Sequence, residues 1–164
     1  MAVSLDEVDV QLLHALELDA SRSNVELASL VKLSPAATLN RVRRLKESGA
    51  IRRVSARLDS AAVGFTLQVY VTITLARQDD AAHRRFVQVV EETPQVISAD
   101  WVTGEVDAML LIVAQDVPEL QLVLSRLTTR GGAQRVITLL RLEELKPASP
   151  LPLRPTSGQR GRGR

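Results

Sequence analysis

Apolar residues recur at helical spacing through the first fifty positions, which predicts three short helices. The second run opens with a capping box, in which Ser23 and Glu26 can satisfy each other's backbone donors. The third run opens with Ser34 as an N-cap followed by Pro35 at the first helical position. The predicted helices cover residues 6–18, 23–32 and 34–48.

The tight turn before the third helix and the segment after it complete a recognisable unit. Leu39, Val42 and Leu45 form the apolar stripe that we expect to face inward on the third helix. Residues 51–58 then alternate loosely, in the manner of an exposed strand. Three helices with a tight turn before the third, followed by a strand, predict a winged helix-turn-helix.

After Gly64 the pattern changes to alternation at a period of two, which is typical of a strand with two different faces. Strand and helix patterns then follow in the order strand, helix, strand, strand, helix, strand. The predicted elements cover 67–75, 80–92, 96–102, 108–114, 116–130 and 134–145. This order predicts a ferredoxin-like βαββαβ domain, with a four-stranded antiparallel sheet and both helices on one face. The open face would be a natural dimer surface.

The predicted fold class is therefore α+β, with an N-terminal winged helix-turn-helix and a C-terminal ferredoxin-like domain. The expected divisions are a helix-turn-helix domain over 1–52, a linker strand or wing over 53–65, a ferredoxin-like domain over 66–146 and a disordered basic tail over 147–164. Four prolines and four arginines without an acid favour disorder in this tail. Either weak phosphate attraction or a solubilising end without further role would fit it.

Charge is distributed unevenly along the predicted helix-turn-helix. Residues 1–31 carry six acids and Arg22 alone, whereas residues 32–57 carry eight Lys or Arg against Glu47. A change from −5 to +7 within 57 residues predicts a surface that meets a polyanion, for which DNA is the foremost candidate.

The cysteine content and the lengths of the apolar runs mainly show which classes of protein can be excluded. The chain has no cysteine, so it has no disulfide, thiolate metal site or Cys nucleophile. No apolar run reaches membrane-spanning length, and the N-terminus lacks the pattern of a signal peptide. We expect a cytoplasmic protein without a metal or cofactor. Two small domains with thin cores favour oligomerisation.

Several segments occur together in the order and spacing of one family. They are Leu5-Asp6-Glu7-Val8-Asp9, Glu26-Leu27-Ala28, Leu33-Ser34, Arg41-Val42-Arg43-Arg44-Leu45, Gly49-Ala50-Ile51 and Val102-Thr103-Gly104-Glu105-Val106-Asp107. Over residues 5–146 the chain resembles the Lrp/AsnC feast/famine transcription regulators. The resemblance implies an N-terminal domain that binds double-stranded DNA and a C-terminal domain that binds an amino acid or related metabolite. It also implies homodimers that assemble into tetramers or octamers.

The predicted stripe of the third helix places its other side toward a DNA major groove. Arg41 and Arg44 could each offer a fork to guanine, and Asn40 could pair with adenine. Ser34 at the helix N-terminus could hold a phosphate. The full set of expected DNA-binding residues is Ser34, Ala36, Ala37, Asn40, Arg41, Arg43, Arg44, Arg52 and Arg53. Lys32 departs from the family, which often has glycine at this corner, and a left-handed lysine would cost roughly 1 kcal/mol.

The turn at 103–107 is the expected effector site, because Gly104 lets backbone amides approach a ligand and Asp107 supplies a carboxylate. The expected effector-binding residues are Thr103, Gly104, Glu105, Val106, Asp107 and Gln134. Glu105 and Val106 depart from the family, which favours Asp and often an aromatic residue there. A different effector, or none, would fit these changes. A turn capped by Asp107 without a ligand is the alternative interpretation.

Two other functions remain open at this stage. An architectural protein that wraps DNA without an effector would share the basic segment and the arginine-rich tail. Siroheme decarboxylases resemble the family in both domains, but their chemistry would need ionisable groups that converge in a pocket. The histidines here, His14 and His83, lie on predicted helices. A non-enzymatic, sequence-specific regulator is therefore the favoured prediction.

Overall fold

The computed structural model describes residues 3–156, which form two compact units. Of the described residues, the first unit contains 3–56 together with 146–156. The second unit runs from Arg57 to Leu145.

The first unit is helical, with α1 (Glu7–Leu18), α2 (Asn24–Val31) and α3 (Pro35–Glu47). The predicted capping box is confirmed, since the Ser23 hydroxyl accepts from the Glu26 N–H and the Glu26 carboxylate accepts from the Ser23 N–H. The buried core is aliphatic and consists of Leu12, Leu13, Ala15, Leu27, Val31 and Leu45. Burial of such side chains at roughly 1.5–3 kcal/mol each holds the three helices together.

Helix α3 is rotated relative to the prediction. Leu39 was expected to face inward but is 47% exposed, whereas Thr38 is 0% exposed and lies on the inward face together with Leu45. The reason is that Arg41 forms ion pairs with α1 and the residue before it, so the side of α3 that carries Thr38 and Arg41 faces α1. The spacing of apolar residues alone does not predict a polar contact of this kind.

The strand or wing expected over 51–58 is absent, and these residues are neither helix nor strand. Within the described chain no strand offers them a hydrogen-bonded partner, and an extended segment without a partner has no ladder to join. Residues 52–58 are all exposed. The charges of Arg52 and Arg53 are therefore carried on an irregular, solvated segment.

The second unit is the predicted ferredoxin-like domain. Its elements are β1 (Leu67–Leu75), α4 (Asp80–Glu91), β2 (Val96–Trp101), β3 (Ala108–Ala114), α5 (Val117–Thr129) and β4 (Ala133–Leu140). The sheet is antiparallel in the order β2-β3-β1-β4. Buried Val69, Val71 and Ile73 on β1 pack in one core with Phe86 of α4 and Leu127 of α5, so both helices cover the same face. The last strand ends at Leu140, five residues earlier than expected.

The part of the predicted tail that is described, residues 147–156, contains no helix or strand but contacts the helical unit. Leu153 packs against the core of α1, α2 and α3. The Thr156 N–H donates to the Leu5 carbonyl at 2.9 Å. The prediction of disorder for 157–164 lies outside the described residues.

Candidate functional site

The turn between α2 and α3 is built by local hydrogen bonds. Lys32 adopts a left-handed conformation with φ 55°, as expected from its place at the corner. The Ser34 hydroxyl accepts from the Ala37 N–H at 3.2 Å, which confirms Ser34 as the N-cap of α3. The side chain of Asn24 donates to the Pro35 carbonyl at 2.8 Å and thereby joins the start of α2 to the start of α3. This last bond was not predicted.

A carboxylate cluster at the start of α1 holds two arginines of α3. Asp9 is 1% exposed and accepts from Arg41 Nη1 at 3.0 Å and from Arg44 Nη2. Asp6, the N-cap of α1, accepts from the same Arg41 nitrogen at 2.6 Å. We call Asp6, Asp9, Arg41 and Arg44 the α1–α3 clamp. It fixes the rotation of α3 on the helical core.

Within the clamp, the surroundings of Asp6 and Arg41 favour the ionised form of both side chains. Desolvation is the largest single influence on Asp6 and opposes ionisation, but the Asp9 N–H and the Arg41 guanidinium together outweigh it and lower the pKa of Asp6. The hydrogen bond to Asp6 is the main cause that raises the pKa of Arg41. Both partners therefore stay ionised at neutral pH. Arg41 and Arg44, expected to read bases, lie in contacts within the protein.

The outer face of α3 carries different cations. Arg43 and Lys46 are exposed and have no ion-pair partner in the described part of the chain, and the same holds for Arg52 and Arg53 beyond the helix. Asn40 is also exposed, and its side chain has no hydrogen bond among the described residues. These side chains are free to meet a ligand. Lys46 was counted among the basic residues of the segment but was not included in the predicted DNA-binding set.

The small residues of α3 lie near its N-terminus. Ala36 is exposed and Ala37 is half-buried. Together with the cap at Ser34 they leave the first turn of α3 open to close approach. The first backbone N–H groups of a helix and its dipole favour an anion at this end.

The turn at 103–107 is held against the end of β1. The Asp107 carboxylate accepts from the Leu75 N–H at 2.7 Å and from the Gln78 side-chain amide at 3.0 Å. The Asp107 N–H donates to the Ile73 carbonyl at 2.8 Å. Asp107 is thus committed to shaping the turn, which leaves it fewer free acceptor positions for a ligand than the sequence suggested.

The other expected effector residues are more accessible. Thr103, Gly104 and Glu105 are exposed, and Gly104 has φ 127°, a conformation that favours glycine. Val106 is half-buried. Gln134 is exposed at the start of β4, which pairs with the end of β1. The structure therefore brings Gln134 and the turn to the same end of the sheet.

Within residues 3–156, no three His, Asp or Glu side chains are grouped so that they could hold a metal ion. None of the helices described is both long enough and apolar enough to span a bilayer.

A helix-turn-helix with free cations on its third helix, followed by a ferredoxin-like domain, defines a two-domain DNA-binding protein. Comparison with known sequences gives the same division: residues 5–46 match the AsnC-type helix-turn-helix domain, and residues 68–151 match the Lrp/AsnC ligand binding domain. The chain belongs to the Lrp/AsnC family of transcriptional regulators.

Similar proteins extend over nearly the whole chain. The leucine-responsive regulatory protein of Rhizobium meliloti is 35% identical over 147 residues, which cover 89% of this chain and 94% of that protein. The Bkd operon transcriptional regulator of Pseudomonas aeruginosa is 35% identical over 150 residues, 91% of this chain and 98% of its own length. A transcriptional regulator from Neisseria meningitidis, solved in complex with L-Met, superposes with a TM-score of 0.85 at 31% identity, covering 91% of this chain and 97% of that one.

Proposed function

We propose that this regulator reads its operator through the outer face of α3, with Asn40 and Arg43 on base edges. The observation that carries the proposal is the division of the basic residues: Arg41 and Arg44 are held by the clamp, whereas Arg43 is exposed and has no ion-pair partner in the described chain. A free guanidinium can form a fork to guanine, and a free carboxamide can pair with adenine. Arg41 and Arg44 then position the helix.

Phosphate contacts surround this reading face. Lys46, Arg52 and Arg53 are exposed. At the N-terminus of α3 the Ser34 hydroxyl and the Ala36 N–H can donate to an anion, since Pro35 has no N–H and the Ala37 N–H donates to Ser34. Ala36 and Ala37 let the helix backbone approach the groove. Such contacts fix the register on DNA but carry no sequence information. A protein that acts on DNA in this way would work in the cytoplasm.

We further propose a small zwitterionic effector, an amino acid or related metabolite, at the turn over 103–107. The Neisseria relative was solved with L-Met, and the Rhizobium relative is named for its response to leucine. In this chain Asp107 shapes the turn, so Thr103, Glu105 and the amides around Gly104 are the groups open to a ligand. Gln134 at the same sheet end would complete the polar wall, and Val106 would contribute apolar contact.

The open face of the sheet is the proposed dimer surface. Tyr70 lies between Leu111 on β3 and Leu139 on β4 in the strand register, and Met109 and Ile137 flank the next position. Apart from the half-buried Leu111, all of these side chains are exposed in the single chain. An apolar surface of this kind is normally covered by a partner. The assembly of such dimers into tetramers or octamers extends the same proposal.

The test compares Arg43→Ala with Arg84→Ala, an exposed arginine of α4 in the other unit. Affinities are measured by fluorescence anisotropy on DNA from upstream of the protein's own gene and on random DNA. Loss of a base fork worth about 1–3 kcal/mol should weaken binding to the specific site by about 5- to 150-fold, with a smaller loss on random DNA. Arg84→Ala should match the wild type on both. An equal loss of affinity for both DNAs in Arg43→Ala would mean that Arg43 contacts only phosphates.

A DNA-wrapping architectural protein is the second candidate, and the excess of cations with no ion-pair partner in residues 3–156 favours it as well. Footprints at several salt concentrations, with and without a pooled amino acid mixture, separate the two. A defined site whose protection changes with the mixture supports the regulator. Extended, salt-sensitive protection that ignores the mixture supports wrapping. Enzymatic activity is not part of the proposal, because relatives of this chain are named as regulators.

A further inference from the structure

Residues 147–156 are bound to the helical unit at three places. The Leu151 N–H donates to the Glu17 carboxylate of α1 at 3.1 Å. Leu153 packs against the aliphatic core shared by α1, α2 and α3. Both backbone groups of Leu5 are held, since the Thr156 N–H donates to the Leu5 carbonyl at 2.9 Å and the Leu5 N–H donates to the Thr156 hydroxyl at 2.7 Å. We call residues 147–156 the strap.

The middle of the strap has a shape that its sequence favours. The Leu153 N–H donates to the Leu151 carbonyl at 2.8 Å, which closes a three-residue turn around Pro152. The ring of Pro152 fixes φ at about −65°, which suits such a turn and lowers the entropy lost when the strap binds. The two leucines of the turn differ in exposure, because Leu151 is 63% exposed and Leu153 is half-buried. Leu153 is therefore the apolar anchor of the strap.

The strap ends at the residue that leads into α1. Leu5 comes directly before Asp6, the N-cap of α1, and the residue before an N-cap sets the angle at which the chain enters a helix. Asp6 in turn accepts from Arg41 of α3 at 2.6 Å. Thr156 is thus connected through Leu5 and the α1–α3 clamp to α3, the helix that carries the proposed reading face.

Charge plays no part in how the strap itself binds. Its contacts with the helical unit come from backbone groups, the side chain of Leu153 and the hydroxyl of Thr156. Arg154, the one charged side chain within residues 147–156, is exposed and takes part in none of these contacts. A role of the strap in DNA binding can therefore be separated from attraction to phosphate by its dependence on salt.

We propose that the strap is a positioning element of the DNA-binding unit. Leu153 anchors it on the helical core, and Thr156 holds Leu5 so that α1 and the α1–α3 clamp keep α3 in its reading position. Leu153 and Thr156 are positioning residues and touch no DNA. The chain leaves the first unit after Ala56 and returns to it at Lys146, so the strap also joins the ferredoxin-like domain to the helical unit a second time. This inference rests on the proposed function, because it concerns the same reading face.

Two substitutions in the full chain test the strap, each with a matched control. Leu153→Ala removes the apolar anchor, and Leu151→Ala makes the same change two residues earlier at an exposed position. Thr156→Val removes the hydroxyl that accepts from the Leu5 N–H, and Thr156→Ser keeps it. Leu153→Met, which nearly conserves volume, should restore the wild-type behaviour. Thr156→Val alters no core contact, so it remains informative if Leu153→Ala unfolds the unit.

Hydrogen exchange in the free protein measures whether the strap is bound. The Leu5 and Thr156 amides should exchange about fivefold or more slowly than in an unstructured peptide. This protection should be lost in Leu153→Ala and, at Leu5, in Thr156→Val, whereas Leu151→Ala and Thr156→Ser should retain it. The urea midpoint of the helical unit, followed by exchange of the α1 amides, should fall by roughly 0.5–1 M in Leu153→Ala and by less than about 0.2 M in Leu151→Ala.

DNA binding measures whether the strap positions α3. At a temperature where every variant is folded, Leu153→Ala and Thr156→Val should weaken binding to the upstream site by about three- to tenfold and binding to random DNA by less than about twofold. The reason is that base contacts need a defined helix position, whereas phosphate contacts tolerate a displaced helix. The log–log salt slope should stay within about 0.5 of the wild-type value, since no cation is removed. A role in stability alone would change neither affinity at this temperature.

Three results would overturn the inference. Unprotected Leu5 and Thr156 amides in the wild type would mean that the strap is not bound. Equal urea midpoints for Leu153→Ala and Leu151→Ala would mean that Leu153 is not an anchor. Unchanged DNA affinities, or equal losses on both DNAs, would mean that the strap does not position α3. Failure of the proposed function looks different, because the wild type itself would then not distinguish its own upstream DNA from random DNA, while the exchange protection of the strap would remain.

Discussion

Removal of the Asp9 carboxylate tests whether the α1–α3 clamp sets the position of α3. Asp9 is 1% exposed and accepts from Arg41 at 3.0 Å, from Arg44, and from the Asp6 N–H at 3.2 Å. A hydrogen bond to a charged group contributes about 1.5–3 kcal/mol, against about 1 kcal/mol for a neutral one. Asp9→Asn removes the negative charge that faces both guanidiniums and replaces one of the two acceptor oxygens with an NH₂ group, which cannot accept a hydrogen bond.

The expected cost follows from these contacts. The substitution Asp9→Asn would lower the free energy of unfolding by roughly 2–3 kcal/mol if both arginines were buried. The Arg44 side chain is 55% exposed, however, so water screens its interaction with Asp9. We therefore expect Asp9→Asn to lower the free energy of unfolding by about 2 kcal/mol. Asp9→Ala, which also leaves the Asp6 N–H without its acceptor, should cost about 3–4 kcal/mol, within the range for a broken buried pair.

Urea denaturation measures this loss. With a slope of about 2 kcal/mol per molar urea, Asp9→Asn should lower the midpoint by about 1 M. The control is Glu7→Gln, an exposed acid in the same first turn of α1, where only about 0.5 kcal/mol of helix-dipole energy is at stake. A difference between Asp9→Asn and Glu7→Gln of less than about 0.5 kcal/mol would refute the assignment of the clamp as a positioning device.

Measurements of stability also distinguish Arg44 from Arg43 on α3. Arg44→Ala should destabilise the helical unit, because it leaves the buried Asp9 with one guanidinium. Arg43→Ala should leave the urea midpoint unchanged, because its side chain is exposed and has no ion-pair partner in the described chain. Comparison of stability with DNA affinity therefore distinguishes a residue that positions α3 from a residue that contacts DNA.

Three further predictions concern the backbone and pH. Lys32→Gly should raise the free energy of unfolding by about 0.5–1 kcal/mol in urea denaturation, because Lys32 has φ 55°, and an unchanged value would mean that the corner is unstrained. Gly131→Ala and Gly131→Asn should both lower the melting temperature, since a Cβ at this position would lie 2.5 Å from the Leu127 carbonyl oxygen. Gly132 has open space around it but a left-handed backbone with φ 76°, so Gly132→Asn should be tolerated better than Gly132→Ala. The pKa of Asp6 is lowered from 3.8, so its ionised form stabilises the fold above that value, and the stability difference between wild type and Asp6→Asn should shrink as pH falls through and below 3.8. A difference that does not vary with pH would contradict the last point.

Capping residues and hydrophobic periodicity predicted most of the helices and strands, because the local preferences of the sequence agree with the fold. The capping residues Ser23 and Ser34 fixed helix starts, and the alternation over 67–75 gave the bounds of β1 as the structure has them. The rotation of α3 was missed because it depends on Asp9, 32 residues before Arg41, and pairing across such a separation leaves no periodic signal. The signal that could have found it is Asp9 itself, an acid at the inward edge of an apolar stripe.

The effector turn shows the same limit. Gly104 and Asp107 were recognised as a turn, but the sequence did not show that the Asp107 carboxylate binds the end of β1 through the Leu75 N–H. A side chain that looks available for a ligand can be taken up by the backbone, since buried polar groups are almost always satisfied within the protein. The candidate ligand groups therefore move to the exposed Thr103 and Glu105.

The division of charge also bears on how selective the DNA interface is. Of the eight cations between residues 32 and 57, Arg41, Arg44 and Arg57 pair with acids inside their own units. Counting all eight as DNA contacts would predict a log–log salt slope near −7 per chain, whereas the five others allow about −4.5. When the sequence-independent electrostatic contribution to DNA affinity is smaller, base contacts account for a larger part of the affinity. The carboxamide of Asn40, exposed on α3 like Arg43, can pair with an adenine edge, which suits an interface that discriminates between sequences.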